Sequence, residues 1–338
     1  MGKKVTLQMI AQRAGVSVVT VSNVLSGKKG ASDQVRNLIF SLAEETGYQK
    51  SALKDREKER TYRFGVLIAE RYVKEYPSFY MHIYKEIAKE AAKHNSLTIL
   101  EVIDEERERL ENQAYKFADT EIDGLLIIGE MSPLFVDMVR KSAQVPVVGV
   151  DFYNVDMDMD MDFIITDSFR GMQKATERLI QFGHRDITFV GTPKATNSIM
   201  DRYMGYCKAL LHNHIDNTSL ICDRSVGEKG SVIEFDLPLK LPTAFVCNCE
   251  RTTGVLIEKL RERGLRIPED VSIVAFDRFL DEYPEEMEVT TYEIDENALA
   301  RISVTTLLKR ILGKGRPAGI TVVNGILKEG NTVKRTEG

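Results

Sequence analysis

Apolar residues recur at helical spacing over the first fifty positions and in short runs thereafter, so the chain divides by pattern before composition is considered. Within residues 5–25, Leu7, Ile10, Ala11 and Ala14 fall at i, i+3, i+4 and i+7, which predicts a helix capped by Thr6. Gly15 supplies the left-handed turn that ends it. Ser17 then caps a second helix that turns Val21, Val24 and Leu25 inward. Two short helices joined by a Gly turn make a helix-turn-helix. A third helix is predicted after the cap Ser32, with Val35, Leu38, Ile39, Leu42 and Ala43 as its buried stripe, Gly47 as its stop and Tyr48 closing the small core.

The second helix leaves Val18, Val19, Ser22 and Asn23 on its outer face. In a DNA-binding helix-turn-helix the start of the second helix enters the major groove. There an apolar side chain meets a thymine methyl and Asn pairs with adenine. The competing reading is a three-helix bundle whose valines dock on another domain. Charge separates the two: residues 1–60 carry eleven Lys and Arg against six Asp and Glu, whereas the rest of the chain carries 35 against 45. A basic head on an acidic body suits phosphate binding by the head alone.

Beyond residues 50–60, a charged linker, short β-rich runs alternate with amphipathic helices, the pattern of βαβ units and a parallel sheet. Strands are predicted at 64–69, 97–102, 125–129 and 145–150, with helices at 78–93, 106–119 and 133–142. A second unit follows: strand 163–166, helix 168–182 ended by Gly183, strand 187–191, helix 199–211, strand 244–247, helix 250–263 and strand 271–276. Ligands of such sheets bind beyond the carboxyl ends of the strands, so two units in tandem predict a cleft lined by the residues just after them. The alternating Asp-Met stretch 156–162 lacks the Gly and closing Glu of a calcium loop and reads as a solvated crossover.

The remaining composition narrows the class. A length of 338 residues allows two or three domains, and 43% hydrophobic with 29% charged residues is ordinary for a globular chain. No apolar run approaches the roughly 20 residues a bilayer span needs, and no signal-peptide core precedes the first helix, so a cytoplasmic protein without a membrane partner is expected. Four cysteines, at 207, 222, 247 and 249, read as free thiols. Cys247 and Cys249 lack further ligands nearby, and His212 and His214 read as solvated loop residues, so no metal and no cofactor is expected. The phosphate loop, the GxGxxG turn and the nucleophile elbow are all missing from the sequence, which counts against an α/β enzyme.

The chain resembles the lactose/galactose repressor (LacI-type) family of bacterial transcription regulators over nearly its full length. The marks are Thr6, Ile10, Ala11, residues 14–17 and 20–22, Leu25, Gly27, Gly47 and Tyr48 in the head. In the body they are residues 123–125, 183–185, Arg202, Gly205, Tyr206, 271–277 and 330–332. The resemblance implies a helix-turn-helix head and hinge at 1–60 and a periplasmic-binding-protein-like α/β core of two doubly wound parallel-sheet subdomains. It places these at 61–163 plus 293–320 and 164–292 plus 321–338, with three crossings of the chain between them. It implies a homodimer on a near-palindromic double-stranded DNA operator, usually as a repressor, whose affinity responds to a small effector, usually a sugar or sugar phosphate.

Carried over residue by residue, Val18, Val19 and Asn23 read bases, while Thr6, Ser17, Thr20 and Ser22 hold phosphates. In the cleft, Phe79, Tyr80, Asp167, Arg202, Asn248 and Asp277 fall at effector-binding positions. A guanidinium fork with Asp and Asn gives fixed donors and acceptors for vicinal hydroxyls or a purine edge. Plainer roles compete: an Arg202–Asp277 ion pair, Asn248 as a helix cap, and Phe79 and Tyr80 as core residues.

The chain departs from the family at the hinge, where Lys50, Lys54 and Glu57 replace the usual Pro, small residue and wedging Leu. A carboxylate is repelled by the phosphates flanking a base step, so weaker central bending is expected, with Leu53 as substitute wedge. Cys249 replaces the family's Asp beside the cleft Asn, and residues 216–242 are short and Pro-containing where a full helix is usual. A second reading keeps the fold but gives control to a protein co-regulator, with a vestigial cleft. The base-reading assignment predicts that Asn23→Ala costs about 1–3 kcal/mol at one operator position, measured by binding to a base-substituted operator set. Loss of Thr20 weakens all sequences alike, and a uniform effect of Asn23→Ala removes the assignment.

Overall fold

A computed structural model of the chain describes residues 6–25, 31–46, 48, 60–74, 78–109, 115, 117, 120–153, 161–216, 218–225, 233–278, 287–314 and 317–336. It divides into two compact units, Met1–Tyr62 and Arg63–Gly338.

The first unit is three helices, α1 (Leu7–Ala14), α2 (Val18–Leu25) and α3 (Asp33–Glu45). Gly15 takes φ 67°, and its N–H reaches the Ala11 carbonyl to close α1. Ile10, Ala11, Val21, Val24, Leu25, Ile39 and Leu42 form the core, with Val35, Ala43 and Tyr48 packed on it as predicted. Two expectations fail. Thr6 sits at the cap position of α1 with extended backbone but its side chain makes no capping bond. Leu38 is 45% exposed: only two short helices face α3, and they cover the Val35–Ile39–Leu42 line without reaching its neighbour.

The second unit begins with β1 (Tyr62–Ala69), a 3₁₀ turn (Glu70–Tyr72), α4 (Phe79–Lys93), β2 (Ser96–Ile103), α5 (Glu105–Arg109), β3 (Gly124–Ile128), α6 (Pro133–Ser142), β4 (Val147–Val150) and β5 (Asp162–Thr166). It continues with α7 (Ser168–Gln181), β6 (Ile187–Val190), α8 (Asn197–His212), β7 (Ser219–Ile221), β8 (Ala244–Cys247), α9 (Glu250–Glu262), β9 (Ser272–Phe276), β10 (Thr290–Glu293), α10 (Glu296–Ile311), β11 (Ile320–Val323) and β12 (Ile326–Lys328). Two six-stranded sheets result, ordered β11-β5-β4-β3-β1-β2 and β12-β10-β9-β8-β6-β7. β3, β8 and β9 are buried along their whole length, as strands covered by helices on both faces must be.

The chain passes between the sheets three times: after β5, after β10, and between β11 and β12. α10 returns to the first sheet, packing on α4, β3, β4 and β5. The expected boundaries at 163/164 and 320/321 cut through β5 and β11. Both strands pair with each other in parallel register, Phe163 to Ile320 through Thr166 to Val323, and so belong whole to the first sheet. β5 therefore belongs to the first sheet and does not open the second. The helix expected at 106–119 is α5 alone within the described residues, with Tyr115 and Phe117 buried in the first core. Of the crossover 156–162, Met161 and Asp162 are described, and Asp162 belongs to β5.

Caps and close approaches fix the helices that matter for the cleft. Asp167 caps α7 and Thr196 caps α8 by accepting from Arg170 N at 3.3 Å and Ile199 N at 3.2 Å. α7 and α8 meet at Gly205, where a Cβ would stand 2.2 Å from the Phe169 carbonyl oxygen and 3.0 Å from Gln173 N. Gly205→Ala therefore lowers stability by about 1–3 kcal/mol, read as a lower urea midpoint at unchanged slope. An unchanged midpoint means the two helices do not need this approach.

Candidate functional site

In the first unit, Ser17 Oγ accepts from Thr20 N at 3.0 Å and shares a hydroxyl bond with Thr20 Oγ1 at 2.9 Å, which fixes the start of α2. Because Val21, Val24 and Leu25 take the inner face, Val18 and Val19 are left 40% and 66% exposed. Ser22 and Asn23 are partly buried beside them, and Thr6 is exposed. Arg13 Nη2 donates to both oxygens of Glu45, at 2.9 and 3.1 Å, tying α1 to α3 behind this surface. The outer face of α2 thus carries hydroxyls, an amide and two methyl-bearing side chains, the groups that meet phosphates and base edges in a major groove. Leu53, with Lys50, Lys54 and Glu57, lies outside the described residues.

In the second unit the carboxyl ends of strands from both sheets converge. Asp151 follows β4, Asp167 follows β5, Asn248 follows β8 and Asp277 follows β9. Asp151 and Asp277 take φ 59° and 70°, a left-handed turn that costs a non-Gly residue energy and accumulates at sites that need a particular side-chain direction. At the equivalent place after β3, Gly129 takes φ 77°, and a Cβ there would stand 2.9 Å from Tyr72 and 3.1 Å from Tyr80. Those two rings pack with centroids 4.4 Å apart, and Phe79 packs edge-on to Tyr80 at 5.2 Å.

Arg202, on α8 and 8% exposed, is the hub. Its Nε donates to Ser168 Oγ at 3.3 Å and its Nη1 to the Asn248 carbonyl at 2.9 Å, while the guanidinium lies 4.0 Å over the Phe276 ring. Asp151, Asp201, Asp277 and Tyr80 all feel its charge. Asn248 is fully buried and its amide is committed. Nδ2 donates to the Val190 carbonyl at 3.1 Å and Asp223 Oδ2 at 2.7 Å, with Thr252 Oγ1 at 3.1 Å. Asp223 is held in turn by Arg224, Thr192 and Thr252. The Oδ1 of Asn248 has no partner among the described residues.

Among the described residues three residue pairs join the lobes directly, one of them through Asn197 Nδ2, which donates to the Tyr153 carbonyl at 2.8 Å. Asn197 N, at the start of α8, donates to Glu130 Oε2 at 2.7 Å, and Tyr153 Oη donates to Asp201 at 3.0 and 3.2 Å. Beside them a small cavity, about 10 Å³, is lined by Asp151, Thr166, Ser168, Ser198, Asp201 and Tyr153, with Phe152 and Ile165.

Burial dominates the electrostatics. It pushes Asp277 up to about 7, reinforced by Glu296 and Glu250 and opposed by the Arg278 N–H and Arg202. Burial also raises Asp151 against Arg202 and the Thr166 and Tyr80 hydroxyls, and raises Asp201 and Glu130. Tyr80 is lifted well above a free phenol by burial and by Asp151.

The plainer readings separate here. Arg202 and Asp277 are near enough to influence one another, yet the hydrogen bonds of Arg202 go to Ser168 and Asn248. The cap position of α9 belongs to Cys249, so Asn248 is not the cap. Phe79 and Tyr80 are partly buried and sit at the cleft end of α4, outside the fully buried core. Asp167 is engaged as the cap of α7, with Arg170 Nη1 at 3.6 Å. The four cysteines are free thiols, His212 and His214 are exposed, and among the described residues no His, Cys, Asp or Glu group is arranged for a metal. No helix among them is long and apolar enough to cross a membrane.

Sequence reasoning missed Asp151, Asp201, Tyr72 and Asp223. Asp151 had a signal: VVGVD at 147–151 repeats the strand-then-Asp pattern of IVAFD at 273–277. Asp223 had none, because β7 is only three residues long. The raised Asp277 keeps its proton in the folded chain up to about pH 7, whereas the unfolded carboxyl loses it near pH 4. Its contribution to stability is therefore full below pH 4 and is lost as pH rises to about 7. Asp277→Asn removes that loss, so urea unfolding at pH 5 and pH 7.5 shows a smaller stability drop in the variant than in the parent. An identical drop means Asp277 ionises normally.

Residues 6–51 match the model of bacterial regulatory proteins of the lacI family, and residues 176–333 match the periplasmic binding protein-like domain. The HTH-type transcriptional repressor PurR of Pectobacterium atrosepticum is 27% identical, over 97% of this chain and 96% of its own length. The ribose operon repressor of Haemophilus influenzae is 27% identical, over 90% and 92%. The fold is shared with a transcriptional regulator CelR–cellobiose complex (TM-score 0.67, 21% identity, 97% and 99% covered). It is shared too with a lac repressor dimer bound to operator and the anti-inducer ONPF (0.66, 20%, 98% and 100%). These relatives are regulators and not enzymes. The chain thus joins a lacI-family helix-turn-helix domain to a periplasmic binding protein-like domain, the make-up of a DNA-binding transcriptional regulator.

Proposed function

We propose that the protein represses transcription as a cytoplasmic homodimer on a near-palindromic operator, and that a small hydroxyl-bearing effector, of the sugar class, binds at Arg202 between the lobes and changes operator affinity. The observation that carries this reading is the convergence of strand ends from both sheets on one buried guanidinium. Three short crossings join the lobes, and each can flex as a hinge. In the head, Val18, Val19 and Asn23 read bases and Thr6, Ser17, Thr20 and Ser22 hold phosphates, with Leu53 assigned as wedge from sequence alone. In the cleft, Tyr80, Arg202, Asn248 and Asp277 take the effector, Phe79 backs Tyr80, and Asp167 orients α7. Relatives support the ligand class: the solved structures that share the fold include one with cellobiose and one with ribose.

The cavity of about 10 Å³ has room for about one water and lies far below the roughly 300–1,000 Å³ usual for ligand pockets, so even a single sugar ring requires the lobes to part. An effector that binds one arrangement better shifts the population toward it, and the heads follow. The test is a thermal-shift screen of the purified protein against neutral, amino and phosphorylated sugars and nucleobases, followed by operator binding measured with any hit. A ligand at 100 times its Kd adds about 2.7 kcal/mol of stability. We expect a hit that Arg202→Ala abolishes, with operator affinity in the absence of ligand retained. Silence across the panel, or a hit indifferent to Arg202→Ala, turns the reading toward a protein co-regulator.

A further inference from the structure

The cleft is unevenly supplied with charge. The guanidinium of Arg202 already spends its Nε hydrogen on Ser168 and one Nη1 hydrogen on the Asn248 carbonyl, which leaves the second Nη1 hydrogen and those of Nη2 as its donors toward a ligand. Against it stand the side chains of Asp151 and Asp201, each close enough to feel its charge, while Asp277 keeps its proton up to about pH 7. Asn248 adds to the acceptors. Its Nδ2 faces the Val190 carbonyl and the Asp223 carboxylate, which can only accept, so the amide orientation is determined and Oδ1 is the atom left over. The cavity wall repeats the bias, with two acidic side chains, from Asp151 and Asp201, four hydroxyls, from Tyr153, Thr166, Ser168 and Ser198, and no Lys, Arg or His among its described residues.

Two other arginines are committed elsewhere. Arg224 pairs with Asp223, and Arg71 pairs with Glu108 and donates to the Glu130 carbonyl. An anionic group placed here would meet several acceptors in a medium of low dielectric, where like charges repel far more strongly than in water. A hydroxyl or an ammonium would instead satisfy acceptors that are already buried.

We propose that the cleft selects its effector by charge, taking a hydroxyl-rich ligand that is uncharged or carries an ammonium group between Asp151 and Asp201, and rejecting phosphorylated forms of the same ligand. This rests on the effector reading above and narrows it, because relatives at this identity do not separate sugars from sugar phosphates. The amine gains two carboxylate partners, the neutral parent keeps the hydroxyl contacts, and a phosphate must face Asp151 and Asp201 with only part of one guanidinium in compensation.

The experiment is calorimetric titration of the full chain with matched triplets: glucose, glucosamine and glucose 6-phosphate, and the galactose and mannose counterparts. In any series that binds, the expected Kd order is amine below parent, with the phosphate at least tenfold weaker than the parent. Asp201→Asn, with Asp201→Ser as a second variant and the ligand-free melting temperature of each recorded, shrinks the gap between amine and phosphate at least threefold. A phosphate that binds as well as its parent, or a gap unchanged in a folded Asp201 variant, overturns the charge proposal and leaves the effector reading standing. Failure of all three series overturns both for this ligand class.

Discussion

The core is built around the burial of one guanidinium. A buried charge is tolerated only when partners surround it, and Arg202 is surrounded by elements drawn from both sheets. The Ser168 hydroxyl lies at the start of α7, the Asn248 carbonyl after β8, the Phe276 ring at the end of β9 and Asp151 after β4. None of these partners is within thirty residues of Arg202 in sequence except through α8 itself. The two sheets must present their strand ends to each other for the charge to be accommodated. The strained turns at Asp151 and Asp277 follow from the same need, since a strand that simply ran on would carry its carboxylate away from the hub.

The second layer explains why the site has a direction. Asp223, fully buried, takes bonds from Arg224, Thr192, Thr252 and Asn248, so the Asn248 amide is locked with its oxygen outward from that network. On the opposite lobe, Gly129 lets Tyr72 and Tyr80 approach the strand end that a side chain would block. The bonds that join the lobes are of another kind: Asn197 to Glu130 and to the Tyr153 carbonyl, and Tyr153 to Asp201, are a few polar contacts between partly buried side chains. Contacts of this sort exchange readily for water. The lobes are thus bound to each other by interactions a ligand could replace, which the proposed effector response requires.

Local information made most of the elements legible. Gly15, Ser17 and the valine spacing defined the head because helix starts, stops and faces depend on residues three or four apart. The central strands were equally plain, as uninterrupted apolar runs such as 124–128 and 244–247. What failed to show were edges and partnerships. β7, β10, β11 and β12 are three or four residues long with mixed burial, and their strand character comes from neighbours that complete their hydrogen bonds. Leu38 fitted the helical period of α3 and still faces solvent, because periodicity reports a face and not whether anything covers it.

The candidate site divides the same way. Arg202, Asn248, Asp277 and Tyr80 were named from motif likeness, and the strand-end rule alone pointed to Asn248 and Asp277. By itself the sequence determined the class of each element, the position of the head and the residue types available at strand ends, since these follow from short-range propensity and spacing. Only the tertiary structure decided that β5 and β11 pair within the first sheet and that Asp151 and Asp201 join Arg202. It alone decided that the Asn248 amide is consumed and that acceptors outnumber donors in the cleft. Those facts depend on which residues far apart in the chain share one buried space, and on how much of their charge that space leaves uncompensated.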